Sequence, residues 1–455
     1  MSTTVLWFRR DLRLADHPAL LAALAAADRV VPLFVLDPAL LGPAGAPRTA
    51  FLFGCLEHLL ARTDGALVLR AGDPVVEVAR LAAEVGADEV HVTADFGPYG
   101  HQRDERVAGA LEGDGRSFVR TGTPYVTNPG SLTTGGGSPF KVFTPYFKAW
   151  QRVPLDPPVG APERPCWAGG VVGVALPPSP ALGDTRISEP GEEAATRRLD
   201  RFVDEALERY DDDRNTPAVE GTSRLSVDLK YGTVHPRQLL ARAGKGAGGD
   251  RFRFEVAWRD FYASILFEQP ETARHPLRQE VGAIEVDEGP DADERYEAWA
   301  KGRTGYPIVD AGMRQLLGEA YVHNRVRMIV ASFLVKDLHL DWRRGARHFM
   351  RHLQDGDLAS NNHGWQWVAG TGTDAAPYFR VFNPVTQGKR FDPDGAYIRR
   401  WVPELAGLEG AAIHEPWTRA AGEQGDLFAD YPPPMVDHAV ERAEALRRYE
   451  ALRTT

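Results

Sequence analysis

Glu255, Trp258, Arg259 and Tyr262 lie within the stretch RFRFEVAWRDFYASILF. Offsets of three, four and seven put the four side chains on one helical face. An acid, an aromatic plane and a guanidinium on one stripe can hold a flat polar ligand. Asn324, Arg327 and Met328 repeat the arrangement at offsets of three and four, with Arg325 turned aside. Trp365 and Trp367, in GWQW, point in different directions, so one can face a cofactor and the other an outside ligand. Asp355 and Asp357, in QDGDLASNN, lack the remaining ligand spacing of a calcium loop. They can instead accept from sugar hydroxyls or pair with an arginine. Thr222, Ser223, Arg224, Leu225 and Ser226 follow a glycine. Their amides, hydroxyls and guanidinium can cradle a diphosphate, although the run matches no phosphate-loop or dinucleotide fingerprint. Taken singly, each pattern also fits a core tryptophan, a surface ion pair or a solvated helix face.

Charge narrows the choice. Arg325, Arg327, Lys336, Arg343, Arg344, Arg347 and Arg351 face only Asp337 and Asp341 over the same stretch, in a chain of net charge -10. A basic island in an acidic protein points to a local polyanion site. Trp342, Trp365 and Trp367 lie in or near it and offer planes for a base or a ring cofactor.

These residues need elements to position them. Up to about residue 127, short β-rich runs at 3–8, 29–36, 66–70, 89–93 and 117–120 alternate with helical patterns at 18–27, 48–62 and 74–85. Strand and helix in regular alternation predict a parallel, Rossmann-like α/β sheet covered on both faces. Residues 128–192, rich in Pro and Gly, read as a linker. From 193 to 455 the patterns are helical, at 194–209, 253–267, 306–317, 325–340 and 436–452. The 455 residues suffice for two or three filled cores. Cys55 and Cys166 are too few for a disulfide framework or a cysteine metal cluster. The N-terminus lacks a long apolar signal core and no run is long enough to span a membrane, so a cytoplasmic protein is expected.

Together these segments resemble the photolyase/cryptochrome family, in particular its class I bacterial branch that repairs cyclobutane pyrimidine dimers. VLWFRRDLRLADHPAL, SPFKVFTPYFKAW, RYDDDRNTPAVEGTSRLS, EVAWRDFY, AWAKGRTGYPIVDAGMRQL and RFDPDGAYIRRWVPEL carry the likeness in order along almost the whole chain. The resemblance implies an N-terminal α/β domain and an all-helical C-terminal domain holding one FAD, active as FADH⁻. It places Tyr210 and Thr222 to Ser226 at the phosphates and ribityl chain. Arg259, Asn324, Arg327, Asp355, Asp357 and Asn361 would surround the remainder, with Asn361 at the flavin N5. It implies light-driven electron transfer to a dimer flipped out of DNA. Glu255, Asn324, Met328, Trp258 and Trp367 would form the lesion pocket, and Tyr262, Arg325, Arg343, Arg344 and Arg380 would add DNA contacts. No obligate protein partner is implied, and a monomer is expected.

The pocket also separates branches. Relatives acting on (6-4) photoproducts are expected to carry His where Asn324 and Met328 stand, and plant-type cryptochromes an acid at Asn361. A blue-light sensor without repair is the alternative. A plain flavin oxidoreductase would need a nicotinamide fingerprint, which the sequence lacks. Two departures from the family pattern stand out. Trp365 and Trp342 match the inner two of its three photoreduction tryptophans, but the outer place holds Gly289, leaving Trp299 as a candidate exit; Trp restored at 289 would then speed photoreduction. Tyr321 replaces a common Trp. For the antenna, Tyr99 and Gly100 replace the Asn-Glu pair of folate-type relatives, while Arg9, Phe34, Asp37 and Asp95 match the deazaflavin type. The expected antenna is therefore 8-hydroxy-5-deazaflavin, with methenyltetrahydrofolate the alternative.

Overall fold

A computed structural model describes residues 1–373, 380–418 and 430–452. Five parallel strands, β1 (Thr3–Phe8), β2 (Arg29–Leu36), β3 (Val68–Ala71), β4 (Glu89–Val92) and β5 (Ser117–Arg120), make one sheet in the order β3-β2-β1-β4-β5. β1 and β2 are buried almost from end to end, as expected for strands covered on both faces. One core, around Leu6, Phe8, Phe34, Phe51 and Leu56, fills one side of the sheet. Another, around Val5, Trp7, Val31, Leu81 and Val107, fills the other. The chain adds β2 and β3 on one side of β1, then β4 and β5 on the other. The carboxyl ends of β1 and β4 therefore flank the point where strand order reverses, the usual place for a ligand crevice in open α/β sheets.

Among the described residues no strand follows β5. The chain divides into two compact units. Met1–Leu182, Ile187–Tyr210 and Ser223–Pro270 form the first; Gly183–Arg186, Asp211–Thr222 and Glu271–Thr455 form the second. Most of the Pro- and Gly-rich connector packs with the first unit: Trp167 makes a bridge to Val30, and Phe143–Trp150 is a helix. The long helix Ala247–Glu268 belongs to the same unit.

The second unit is helical among its described residues. Its core gathers Trp299, Ile308, Met313, Phe333, Leu334, Phe349 and Trp365. Three successive helices carry the sequence-predicted residues. Asn324–Lys336 starts at His323, whose imidazole accepts from the Arg325 amide. Trp342–His352 starts at Asp341, which accepts from the Arg343 amide. Leu358–Ala369 starts at Asp357, which accepts from the Ser360 amide. Each cap satisfies an amide that the first turn leaves without an intrahelical partner. The predicted helix at 325–340 ends early, because Leu338–Leu340 turn away and His339 takes φ 54°.

Candidate functional site

In the first unit, the Ala247–Glu268 helix displays Glu255, Trp258, Arg259 and Tyr262 as the spacing requires. Arg251, one turn earlier, meets Glu255 at 3.3 Å. Trp258 lies flat on Phe143, with ring centroids 3.7 Å apart and planes within 7°, and Tyr262 is tilted against it at 5.2 Å. One face of the indole is thus fixed by a residue on a distant segment. Arg259 donates to the carbonyls of Pro124 and Leu229 at 2.8 and 2.9 Å and covers the Tyr125 ring. Asp260 beside it is buried; one of its oxygens accepts from the Trp150 indole and the amides of Val126 and Thr127. Burial pushes its carboxyl up to about 6 despite the Arg259 guanidinium and these donors. Tyr210 is buried edge-on to Phe202 and Phe252. In the Ser223–Ser226 run, Arg224 is held at φ 51°, a conformation costly for a side chain with a Cβ. Below that run, Asp228 is buried against Arg198 at 2.7 Å and Thr233 at 3.0 Å.

In the second unit, Arg327 pairs with Asp355 at 2.9 Å and gives its Nε to the Val322 carbonyl. The Asp355 side chain is 3% exposed. Asn361 is oriented by two donations from its amide, to the Ala346 carbonyl at 3.1 Å and Asn362 Oδ1 at 3.0 Å. Four residues on, Trp365 is buried over Gly345, where an added Cβ would come within 2.1 Å of the indole. Asn324 is exposed and Met328 half-buried. Arg325, turned aside as its spacing predicts, donates to Asn215 at 2.7 Å and covers Phe391. Trp367 is half-buried beneath the Arg380 guanidinium. Thr222 also belongs to this unit, half-buried. Two more cations of the basic island hold acids: Arg343 with Asp341, and Arg344 with Asp293 at 2.8 Å. Tyr321 lies under the Arg327 guanidinium.

Gly289 has φ 94° and caps the helix Pro290–Ala300. A Cβ there would meet no neighbour, but a side chain would be strained by the backbone. Restoring an outer tryptophan at 289 is therefore a poorer test than its spacing implied.

The antenna candidates sit at the carboxyl ends of β1, β2 and β4 in the first unit. Arg9 pairs with Asp104, and Arg103 with Asp95 at 3.2 Å. Both guanidinium groups lie over the Trp7 ring. Tyr99 donates to Asp37, and Phe34 is buried nearby in β2. Burial and that carboxylate push the Tyr99 phenol up to about 12. Gly100 is pressed on Asp95: an added Cβ would lie 2.1 Å from the carboxylate. Any side chain at 100 would require the Asp95 carboxylate to move.

Sequence reasoning missed Phe143, Arg251, Asn215 and Asp228. None stands at a helical offset from its partner beyond the Arg251–Glu255 turn, which was the one signal available. Among the described residues no cluster of His, Cys, Asp and Glu is arranged to hold a metal. No described helix is long and apolar enough to cross a membrane.

Comparison with known proteins agrees with the fold. Residues 4–163 match the DNA photolyase family model, and residues 252–451 match that of the FAD binding domain of DNA photolyase. The chain is 44% identical to the deoxyribodipyrimidine photo-lyase of Streptomyces griseus, over 100% of this chain and 99% of that one. A class III photolyase from Agrobacterium tumefaciens superposes with a TM-score of 0.94 at 37% identity, covering 100% and 98% of the two chains. An archaeal photolyase from Sulfolobus tokodaii, solved with two FAD molecules, superposes at 0.85 with 31% identity, covering 99% and 100%. The chain belongs to the photolyase/cryptochrome family.

Proposed function

We propose that this chain is a DNA photolyase that repairs cyclobutane pyrimidine dimers under light. The observation that carries the reading is its end-to-end likeness to a relative named for that activity. Glu255, Trp258, Asn324 and Met328 are all present and all reach the surface in part. Within the second unit, a buried carboxylate held by Arg327 and an oriented amide at Asn361 suit a flavin ring. Bound FAD, fully reduced and excited by light, would supply the electron that splits the dimer and would receive it back.

The chain's own residues would do the rest. Arg327 and Asp355 would hold the ring edge, and Asn361, an amide that carries no charge, would sit at N5. Asp357 and Arg259 would complete the cofactor's surroundings, with Tyr210 and Thr222 to Ser226 at its phosphates and sugar. Glu255 would donate to or accept from the dimer, and Arg251 would keep its carboxylate aimed. Trp258, backed by Phe143, and Trp367, beneath Arg380, would present flat walls to the flipped bases. Asn324 would bridge cofactor and lesion, and Met328 would pack on the latter. Tyr262, Arg325, Arg343, Arg344 and Arg380 would meet the strand, with Arg343 and Arg344 exchanging Asp341 and Asp293 for phosphate. Trp365 and Trp342 would carry electrons inward when the flavin is oxidised.

Residues 1–127 would serve the antenna, 128–192 the connection, and 193–455 flavin and DNA. Arg9 and Asp95, at the reversal of strand order, favour a chromophore there. The closed Gly100 position favours 8-hydroxy-5-deazaflavin over methenyltetrahydrofolate. Class I placement, monomeric state and cytoplasmic location belong to the same proposal. The test is repair of dimer-containing DNA by purified protein, lit against dark; a blue-light sensor would bind flavin and repair in neither.

A further inference from the structure

Among the described residues Trp365 meets two aromatic rings of its core, and one of them leads outward. Its indole meets Trp299 edge-on with centroids 6.1 Å apart. Phe349 fills the angle between them, 5.1 Å from Trp365 and 6.3 Å from Trp299. Trp299 is wholly buried, and its ring lies 5.9 Å from that of Tyr296, one helical turn earlier and half-exposed. The Tyr296 hydroxyl is 3.3 Å from Nδ1 of His348. We propose that Tyr296, reached through Trp299, is the surface end of a second photoreduction path that enters Trp365 without Trp342, and that His348 receives its phenolic proton. This rests on the flavin reading above, with Trp365 as the inner donor.

Three details suit those roles. The Trp299 indole N–H donates to the Val330 carbonyl at 3.0 Å. A carbonyl is not a base, so an oxidised Trp299 keeps its proton and can pass the charge on. The Arg344 guanidinium lies 4.3 Å over the Tyr296 ring, which opposes a positive charge on that ring and ties electron loss to proton loss. His348 is neutral at rest, because burial, with His352 and Arg351 beside it, pushes its imidazole down to about 3; that makes it a weak base, but a phenol that has lost an electron is a much stronger acid and still gives up its proton. A separation of 3.3 Å is within the range that tightens in a working complex.

The balance is as follows. Trp365 gives one electron to light-excited oxidised flavin, Trp299 refills Trp365, and Tyr296 refills Trp299. The Tyr296 O–H bond breaks, its proton moves to His348 Nδ1, and a neutral tyrosyl radical remains. A soluble thiol then gives a hydrogen atom to the tyrosyl oxygen and becomes a thiyl radical, while His348 releases its proton to water. One electron has entered the flavin and one thiol has been oxidised.

The experiment uses the flavin-loaded protein under blue light with excess thiol, followed by electron paramagnetic resonance and by flavin bleaching. Wild type is expected to show a neutral tyrosyl radical whose formation slows in deuterated water. Tyr296→Phe is expected to lose that signal and to photoreduce several-fold more slowly, and His348→Leu to form the radical more slowly. Dithionite-reduced Tyr296→Phe is expected to repair dimers like wild type, which shows the fold intact. Wild-type photoreduction in Tyr296→Phe, or a tyrosyl signal surviving it, overturns the path. A protein that takes up no flavin overturns the functional reading together with it.

Discussion

Arg327, on the Asn324–Lys336 helix, and Asp355, in the turn before the Leu358–Ala369 helix, meet at 2.9 Å, and the carboxylate is almost wholly buried. Asp355 stands three residues before Leu358, where the helix bearing Asn361 and Trp365 begins. The pair therefore fixes the entry of that helix relative to the one bearing Asn324 and Met328.

Removing one partner leaves a buried charge. Arg327→Met should destabilise the protein by about 3 kcal/mol and lower its flavin content. Denaturant unfolding and the ratio of flavin to protein absorbance would register both. Unchanged flavin retention would detach this pair from the cofactor.

Gly345 is where the Trp342–His352 helix lets Trp365 approach. Gly345→Ala puts a methyl group into the indole and the Leu334 side chain. Overpacking of this kind costs about 1–3 kcal/mol. The variant should also shift tryptophan emission and slow photoreduction, since it displaces the inner donor. Thermal melts and flavin bleaching test it.

Asp260 predicts a pH dependence. Its carboxyl rises from the usual 3.8 to about 6 in the fold. The folded state thus holds more protons than the unfolded state between those values, and stability falls as pH rises through the window. The loss is up to about 3 kcal/mol. Asp260→Asn keeps one oxygen for Trp150, Val126 and Thr127 and cannot titrate. Its unfolding free energy should lack that fall when compared with wild type from pH 4 to 7.

The antenna reading predicts a deazaflavin absorption band in protein purified from a host that makes the chromophore. Gly100→Glu should destabilise the first unit through Asp95 and create no folate site. A folate band in the native protein would contradict the reading.

The parts visible in the sequence were those governed by short-range periodicity. The bounds of β1, β2 and β5 follow from their apolar runs. The stripes Glu255–Trp258–Arg259–Tyr262 and Asn324–Arg327–Met328 follow from helical offsets, and Arg325 does turn away to Asn215. What stayed hidden were partners brought together by tertiary packing. Phe143 under Trp258, His348 on Tyr296 and Gly345 under Trp365 lie on separate segments, and no periodicity links them. Backbone conformation was equally hidden: nothing in the composition around Gly289 announces φ 94°.

The most direct test is single-turnover repair of a defined thymine dimer by the dithionite-reduced protein after a light flash, with Glu255→Ala alongside. Dimers should disappear in proportion to light and none in the dark, and Glu255→Ala should retain its FAD while repairing several-fold fewer per flash. Equal loss in light and dark, or no loss in either from flavin-loaded protein, would contradict the account.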